Sequence, residues 1–384
     1  MRILFTTWAW PSHYYPLVPL AWACRAAGHD VRVISQPALG PVITRSGLPA
    51  VTTGRDLPLL SSESMRGFEY LLSIPGISLE WEDLRQHGPA TVALYVEMAE
   101  SMTADVISYA RSWRPGLIVH DPTTYAGPLA AATLGVPAVR HVWGIDYPSL
   151  SSEFEPEALA GLLRRFGLGE VGTLGDATVD PCPPSLQRAR PVRTLAMRYV
   201  PYNGPGAAPG WLLEPPARPR VCVTWGTSTT RICGAGRFGV PQVLDALAGL
   251  DVDVVAAISA PERELLADRP GVRVVSDLPL HLVMDSCDLV IAQGGGGTLM
   301  TAACAGVPQL LLPLLTDQLY NSRRLAASGA GIMLTGAATG DIREAAGALL
   351  GDPRYRRAAA GLRDEARAQP AAGEVVRALE RLTA

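Results

Sequence analysis

Asp288-Leu-Val-Ile-Ala-Gln293-Gly294-Gly295-Gly296-Gly297-Thr298 runs from an apolar tetrad into four consecutive glycines and then into an alanine-rich helical pattern. Glycine amides at a helix N-terminus make an anion site. Their donors lack intrahelical partners, the dipole favours negative charge, and no Cβ obstructs a phosphate. A tight strand-to-helix turn is the plainer alternative, but such a turn rarely needs four glycines. Gly295 is expected to reject valine, on backbone angle as well as on space. The first strand-to-helix turn, Thr7-Trp8-Ala9-Trp10-Pro11-Ser12-His13, lacks GxGxxG, and Gly-Lys-Ser/Thr is absent. The phosphate therefore belongs to neither a Rossmann dehydrogenase nor a P-loop NTPase.

His13 stands where the loop after the strand Ile3–Thr7 opens, and Asp121 follows the strand that begins Leu117-Ile118-Val119. A neutral imidazole there could take a proton from a hydroxyl near neutral pH. A carboxylate on its second ring nitrogen would fix the tautomer and support the imidazolium. A polar loop histidine is the plainer reading; the matching position of Asp121 favours the base. His120 reads as a strand-end bystander. Asp317 and Gln318, after the strand Leu310–Leu312, suit recognition of sugar hydroxyls, and a helix N-cap at Thr316 or Asp317 explains them equally well. Asp251-Val-Asp253 has the spacing of a metal-binding DxD, yet it also fits the start of the strand Val252–Ile258.

Composition removes whole classes of chemistry. All 33 basic residues are arginine. Without lysine there is no Walker phosphate site, no pyridoxal Schiff base and no lysine general base. A chain of 384 residues, 48% apolar and 18% charged, builds cores rather than staying disordered. Its net charge of −3 and scattered arginines argue against nucleic acid. No uninterrupted apolar run approaches the roughly 18 residues of a membrane span. Arg2-Ile3-Leu4-Phe5 reads as a first strand, too short for a signal sequence. The cysteines, at 24, 182, 222, 233, 287 and 304, form no CxxC and read as reduced thiols of a cytoplasmic protein. No histidines stand at HxxxH spacing, so no metal site is expected.

Groups scattered this widely need strands that end side by side. Leu117-Ile118-Val119, an alanine-rich helix and Gly135-Val136-Pro137 are echoed by Leu289-Val290-Ile291, the glycines, a second alanine-rich helix and Gly306-Val307-Pro308. Two α/β units built alike would produce that echo. Residues 201–217, dense in proline and glycine, form a linker between a domain over 1–200 and one over 218–384. The last helix carries Val375, Ala378, Leu379 and Leu382 on one stripe and is expected to pack back on the N-terminal domain. The fold class is α/β: two doubly wound, Rossmann-like domains facing one cleft.

The order of His13 after the first strand, Asp121-Pro122, Met197–Gly204, Trp225-Gly-Thr-Ser228, Gly294–Thr298, Gly306-Val-Pro-Gln309 and Asp317-Gln318 resembles the GT-B glycosyltransferases of family 1. It is most similar to the bacterial enzymes that attach deoxysugars to anthracycline- and angucycline-type polyketides, and the resemblance spans the whole chain. It implies an inverting, metal-independent transfer from a dTDP-sugar, with no cofactor, to an apolar aromatic acceptor. It assigns His13 as base and Asp121 as its partner, with Asp146 a rival or auxiliary base. Gly226, Thr227, Ser228, Gly294, Gly295, Gly296, Gly297 and Thr298 would hold the diphosphate, and Asp317 and Gln318 the sugar. Ser276–Leu280, including Ser276 and Leu278, would lie along the nucleobase. Gln293 stands where the family usually has a diphosphate-contacting histidine, and Asp277 where it usually has an aromatic.

The segment Leu57–Gly88, with Phe68, Tyr70 and Trp81, is the expected acceptor wall, joined by Trp10, Tyr14 and Trp143. As a plain surface loop it would serve equally well to cover the core. A homodimer stays open. Two rival functions share the motifs: a nucleotide-sugar epimerase of the same fold, and a non-catalytic nucleotide-sugar-binding or activating partner. Neither explains an apolar acceptor wall together with an intact His13 and Asp121.

Overall fold

The computed structural model describes residues 1–57, 88–188 and 192–383. The chain divides into two compact units. Met1–Cys182, Gln187–Gly204 and Gln369–Ala384 form the first, and Pro183–Leu186 with Pro205–Ala368 form the second. The main boundary thus falls inside the proline- and glycine-rich linker. It is not a single cut, because the chain's end returns to the first unit.

In the first unit, among the described residues, seven parallel strands run in the order β3-β2-β1-β4-β5-β6-β7. They are β1 Arg2–Thr6, β2 Asp30–Ser35, β3 Ala50–Thr52, β4 Leu117–His120, β5 Ala138–His141, β6 Ala177–Asp180 and β7 Thr194–Ala196. The central strands are buried on both faces, which is why they read as continuous apolar runs. Ile3 and Phe5 join Val31, Val33, Leu117 and Val119 in one core with the helix Val18–Ala26. That helix starts later than its apolar spacing suggests. Pro16 and Pro19 each lack an N–H, and the stretch breaks into a turn at Pro11–Tyr14, a tighter turn at Tyr15–Leu17 and then the helix proper.

The last helix, Ala372–Glu380, buries Val375, Val376 and Leu379 in the same core. At roughly 1.5–3 kcal/mol for each fully buried side chain, three of them suffice to fasten the chain's end to this unit.

The second unit's sheet, over its described residues, runs β10-β9-β8-β11-β12-β13, again all parallel. Its strands are β8 Arg220–Val223, β9 Asp253–Ile258, β10 Val272–Ser276, β11 Leu289–Ala292, β12 Gln309–Leu311 and β13 Gly331–Met333. The sequence echo has a physical basis. Gly135 and Gly306 sit at φ +66° and +76° just past their helices. In both, the following valine donates its N–H back to the carbonyl five residues earlier, Val136 to Ala131 at 3.1 Å and Val307 to Ala302 at 3.0 Å. Only glycine adopts that stop readily.

Both sheets reverse their winding at one place, between β1 and β4 in the first unit and between β8 and β11 in the second. Doubly wound sheets bind ligands outside the strand ends at this switch point. His13 and Asp121 follow β1 and β4; Gly226–Ser228 and Gln293–Gly297 follow β8 and β11. No helix among the described residues is long and apolar enough to cross a membrane.

Candidate active site

In the first unit His13 sits on the one-turn helix Pro11–Tyr14, its side chain 17% exposed. Its Nδ1 lies 3.4 Å from Asp121 Oδ1. Asp121 is buried and densely solvated by its own chain. Oδ1 accepts the Thr123 N–H at 2.9 Å and the Thr123 hydroxyl at 2.8 Å, and Oδ2 accepts the Thr124 hydroxyl. Burial alone would push this carboxyl up. The hydrogen bond and charge of His13, with the Thr124 and Thr123 donors, outweigh burial and hold it below the ordinary carboxylate value. The carboxylate is thus the resting form, suited to orient and support an imidazolium.

Aromatic rings enclose the histidine. Trp143 is tilted across it at 4.0 Å between centroids, and Trp8 meets it edge-on at 5.0 Å. Trp10 stacks on Trp8 at 5.0 Å.

In the second unit the turn after β8 places Gly226 at φ +65°, followed by Thr227, which is exposed, and Ser228, which is half-buried. The helix Gly296–Ala305 starts at Gly295, so the half-buried glycines 295, 296 and 297 lie around its N-terminus. Gln293 is 3% exposed and packs its amide against Gly226, and its Oε1 has no hydrogen-bond partner among the described residues. The strained glycine is Gly294, at φ +92°. A Cβ there would collide with the Ser322 hydroxyl and the Gln318 carbonyl. Asn321 Nδ2 donates to the Gly294 carbonyl at 3.2 Å and pins the loop from behind. Gly295, at φ −60° and ψ 138°, has backbone angles open to every residue. The expectation that its angles exclude a side chain is corrected accordingly; only the space argument stands.

The N-terminus of the helix Gly296–Ala305 leaves its first backbone N–H groups without intrahelical partners, a geometry that can receive an anion. The chain matches the erythromycin biosynthesis protein CIII-like N-terminal domain over residues 22–226 and the C-terminal domain of the same family over 237–382. It is 39% identical to the 10-deoxymethynolide desosaminyltransferase of Streptomyces venezuelae, over all of this chain and 97% of that one. It is likewise 39% identical to the TDP-daunosamine transferase DnrS of Streptomyces peucetius, with the same coverage. The crystal structure of the glycosyltransferase VinC in complex with dTDP superposes at a TM-score of 0.84, with 33% identity over 100% of this chain and 99% of that one.

The chain belongs to the EryCIII-like glycosyltransferases. Its two parallel-sheet units are those of the GT-B fold.

Within this EryCIII-like enzyme, not every residue singled out from sequence stands where a ligand could meet it. Tyr14 is fully buried, and its hydroxyl contacts Ser46 Oγ at 2.5 Å. Burial raises that phenol well above its usual value. Successive helical residues diverge by about 100°, so a helix that exposes His13 turns Tyr14 inward. Tyr14 is a core residue, not an acceptor contact.

Asp146 is buried and its carboxylate is held by Arg140 at 2.8 and 2.6 Å. That corrects its reading as a rival base. Gln318 is buried too: its Oε1 accepts the N–H groups of Leu314 and Leu315, and its Nε2 donates to Thr229 Oγ1 at 2.9 Å. Asp317 keeps a half-buried side chain at the helix start. Ser276 is exposed and Leu278 half-buried beside Asp277, which takes φ +55°. Thr298 is buried in the first turn of its helix.

Asp251 and Asp253 form no DxD metal pair; both bridge to Arg218, at 3.6 and 2.8 Å. Phe68, Tyr70 and Trp81 lie outside the described residues. Sequence reasoning missed Trp8, Thr123 and Thr124. The signal was present in Asp121-Pro122-Thr123-Thr124, since hydroxyls two and three residues after an aspartate tend to fold onto it.

Proposed function

We propose that this glycosyltransferase moves a deoxysugar from a dTDP-sugar to a hydroxyl of an aromatic, polyketide-type acceptor, with inversion and without a metal. The observation that carries the reading is His13, backed by the buried Asp121 carboxylate and enclosed by Trp8 and Trp143. His13 Nε2 takes the acceptor hydroxyl proton as that oxygen attacks the anomeric carbon. The bond from that carbon to the diphosphate breaks, and dTDP leaves with its electron pair. One in-line displacement inverts the centre. The glycine-loop amides and the N-terminus of Gly296–Ala305 stabilise the departing charge.

Among the described residues, no group of three or more His, Cys, Asp or Glu could hold a metal ion. The aromatic rings around His13 support a flat, apolar acceptor. Free thiols, in all six cysteines, suit a reducing cytoplasm. The donor name carried by one relative, TDP-daunosamine, supports the nucleotide.

The test incubates the protein with dTDP-deoxysugars and a panel of hydroxylated polycyclic aglycones, with and without EDTA. Mass spectrometry reads the adduct and NMR reads the anomeric configuration. A glycoside of inverted configuration, formed equally in EDTA, is expected. A retained configuration, or activity restored only by Mg²⁺ or Mn²⁺, overturns the mechanism.

A further inference from the structure

Among the described residues His13 Nδ1 has three close hydrogen-bonding neighbours, and they want different things from it. Asp121 Oδ1, at 3.4 Å, can only accept a proton. Trp8 Nε1, at 3.0 Å, can only donate one. Thr123 Oγ1, at 3.3 Å, can do either. A protonated Nδ1 satisfies Asp121 and leaves Nε2 bare to act as a base. A bare Nδ1 accepts from Trp8 instead, turns its lone pair toward the carboxylate, and places the ring proton on Nε2, where it blocks base catalysis. The indole N–H thus competes with the catalytic tautomer.

Thr123 resolves the competition. Its hydroxyl proton goes to Asp121 Oδ1 at 2.8 Å, which leaves its lone pairs to receive the Trp8 indole N–H at 3.0 Å. Trp8 is fixed to this pair of hydroxyls at both ends, because its backbone N–H donates to Thr124 Oγ1 at 3.0 Å. Thr124 in turn donates to the other oxygen of Asp121. All the donors and acceptors of this network are matched in one arrangement only: Trp8 to Thr123, Thr123 to Asp121, and His13 Nδ1–H to Asp121.

We propose that Thr123 is the positioning residue that sets the tautomer of His13, by taking the Trp8 indole N–H away from Nδ1. The assignment rests on the reading of His13 as the base, and it adds a role for two residues that touch no reacting atom.

The test separates the two claims by reading the tautomer directly. Long-range ¹H–¹⁵N correlation on histidine-labelled protein at pH 8 reports which ring nitrogen of His13 carries the proton, with the signal assigned by its loss in His13→Gln. The wild type is expected to show Nδ1–H. Thr123→Val removes the acceptor and should move the proton to Nε2, with turnover down about tenfold or more. Thr123→Ser should behave as wild type. Adding Trp8→Phe to Thr123→Val removes the competing donor and should return the proton to Nδ1 and recover turnover, which a packing role for Thr123 would not do. An Nε2–H tautomer in the wild type, which needs no variant to fold, overturns the proposal. So does an unchanged tautomer in Thr123→Val, or a double variant that stays at Nε2–H. A tautomer that switches as expected while turnover holds keeps the role of Thr123 and overturns His13 as the base.

Discussion

The guanidinium of Arg140 grips both carboxylate oxygens of Asp146, with the two side chains only 2% and 1% exposed. Burial disfavours the Arg140 charge, and Asp146, with smaller help from Glu155 and Tyr125, more than offsets it. Breaking such a pair strands a buried charge, at a cost of about 3–5 kcal/mol. Asp146→Asn should therefore lose stability in urea denaturation, and Arg140→Met with Asp146→Leu should regain most of it. Full stability with lost turnover in Asp146→Asn would return this carboxylate to the chemistry.

The dyad makes a different demand. His13→Ala should lower turnover by roughly 10²–10⁴-fold, the usual range for a general base, while dTDP affinity stays within about twofold. Asp121→Asn should cost less, because its amide oxygen still accepts from Thr123 and keeps part of the geometry, although the NH2 group no longer accepts from Thr124. Single-turnover rates with calorimetry on dTDP check both. Near-normal turnover in His13→Ala would remove the base from this loop.

What could be read from sequence, and what could not, divides along physical lines. Strands such as Leu117–His120 and Leu289–Ala292 are legible because a strand buried on both faces must be apolar throughout. Gly135 and Gly306 are legible because the helix stop demands a positive φ. The glycine loop is legible for the same kind of reason, although its backbone restriction rests on Gly294 and not on Gly295. The Arg140–Asp146 pair spans a strand end and a loop, six residues apart, where no helical or strand period applies. Tyr14 and Gln318 mislead because polarity and position do not reveal which way a side chain turns. Trp8 misleads because an aromatic in a loop gives no sign of the partner its indole N–H will find.

Acid should destabilise this protein well before its carboxylates titrate. Burial pulls both His120 and His141 down to about 4, from 6.5. Between those values the unfolded chain binds protons that the folded one refuses, so stability is full above pH 6.5 and falls as pH drops toward 4. The slope approaches about 1.4 kcal/mol per pH unit for each histidine. Asp121, depressed below 3.8, adds its loss only at lower pH. Among the described residues the buried ring of His141 makes no side-chain hydrogen bond and only loose contacts with the Val142 and His141 backbone, so His141→Leu should be tolerated and should flatten the slope by about half. Urea titrations at pH 7 and pH 5 decide it; an unchanged slope would mean that His141 charges in the folded state.

The two adjacent glycines of the loop should respond oppositely to alanine. Gly294→Ala meets Ser322 and Gln318 at a left-handed φ and should cost at least about 1–3 kcal/mol of stability. Gly295→Ala fits its backbone, with Gln293 Nε2 at 3.4 Å as its nearest neighbour, and should fold as wild type. Its methyl stands at the helix N-terminus, so dTDP affinity should fall. Thermal melts and calorimetry separate the two effects. Normal dTDP binding by a folded Gly295→Ala would show that the phosphate does not approach this amide.

Gln293 follows β11 with a neutral amide where the family resemblance implies a histidine. Its Oε1 is buried without a partner among the described residues, and an acceptor beside an anion site gives a phosphate nothing to bond. Its nitrogen is packed toward Gly226 and Gly295, between the two turns that would hold the diphosphate. Imidazole at this position offers a donor that gains a charge below about pH 6.5. The diphosphate is charged throughout, so protonating the ring adds an ion-pair attraction to an existing bond, worth up to about 1 kcal/mol at a partly exposed site. A gain of about 1 kcal/mol is roughly a fivefold change in affinity. Gln293→His should therefore bind dTDP more tightly at pH 6 than at pH 8, by up to about fivefold, beyond any pH dependence of the wild type. The sign is set by the ligand: a diphosphate stays anionic across this window, so protonating the ring can only strengthen the contact. Calorimetry on both proteins at the two pH values measures it. Equal affinity at pH 6 and pH 8 would place the diphosphate away from the end of β11, and with it the donor half of the mechanism.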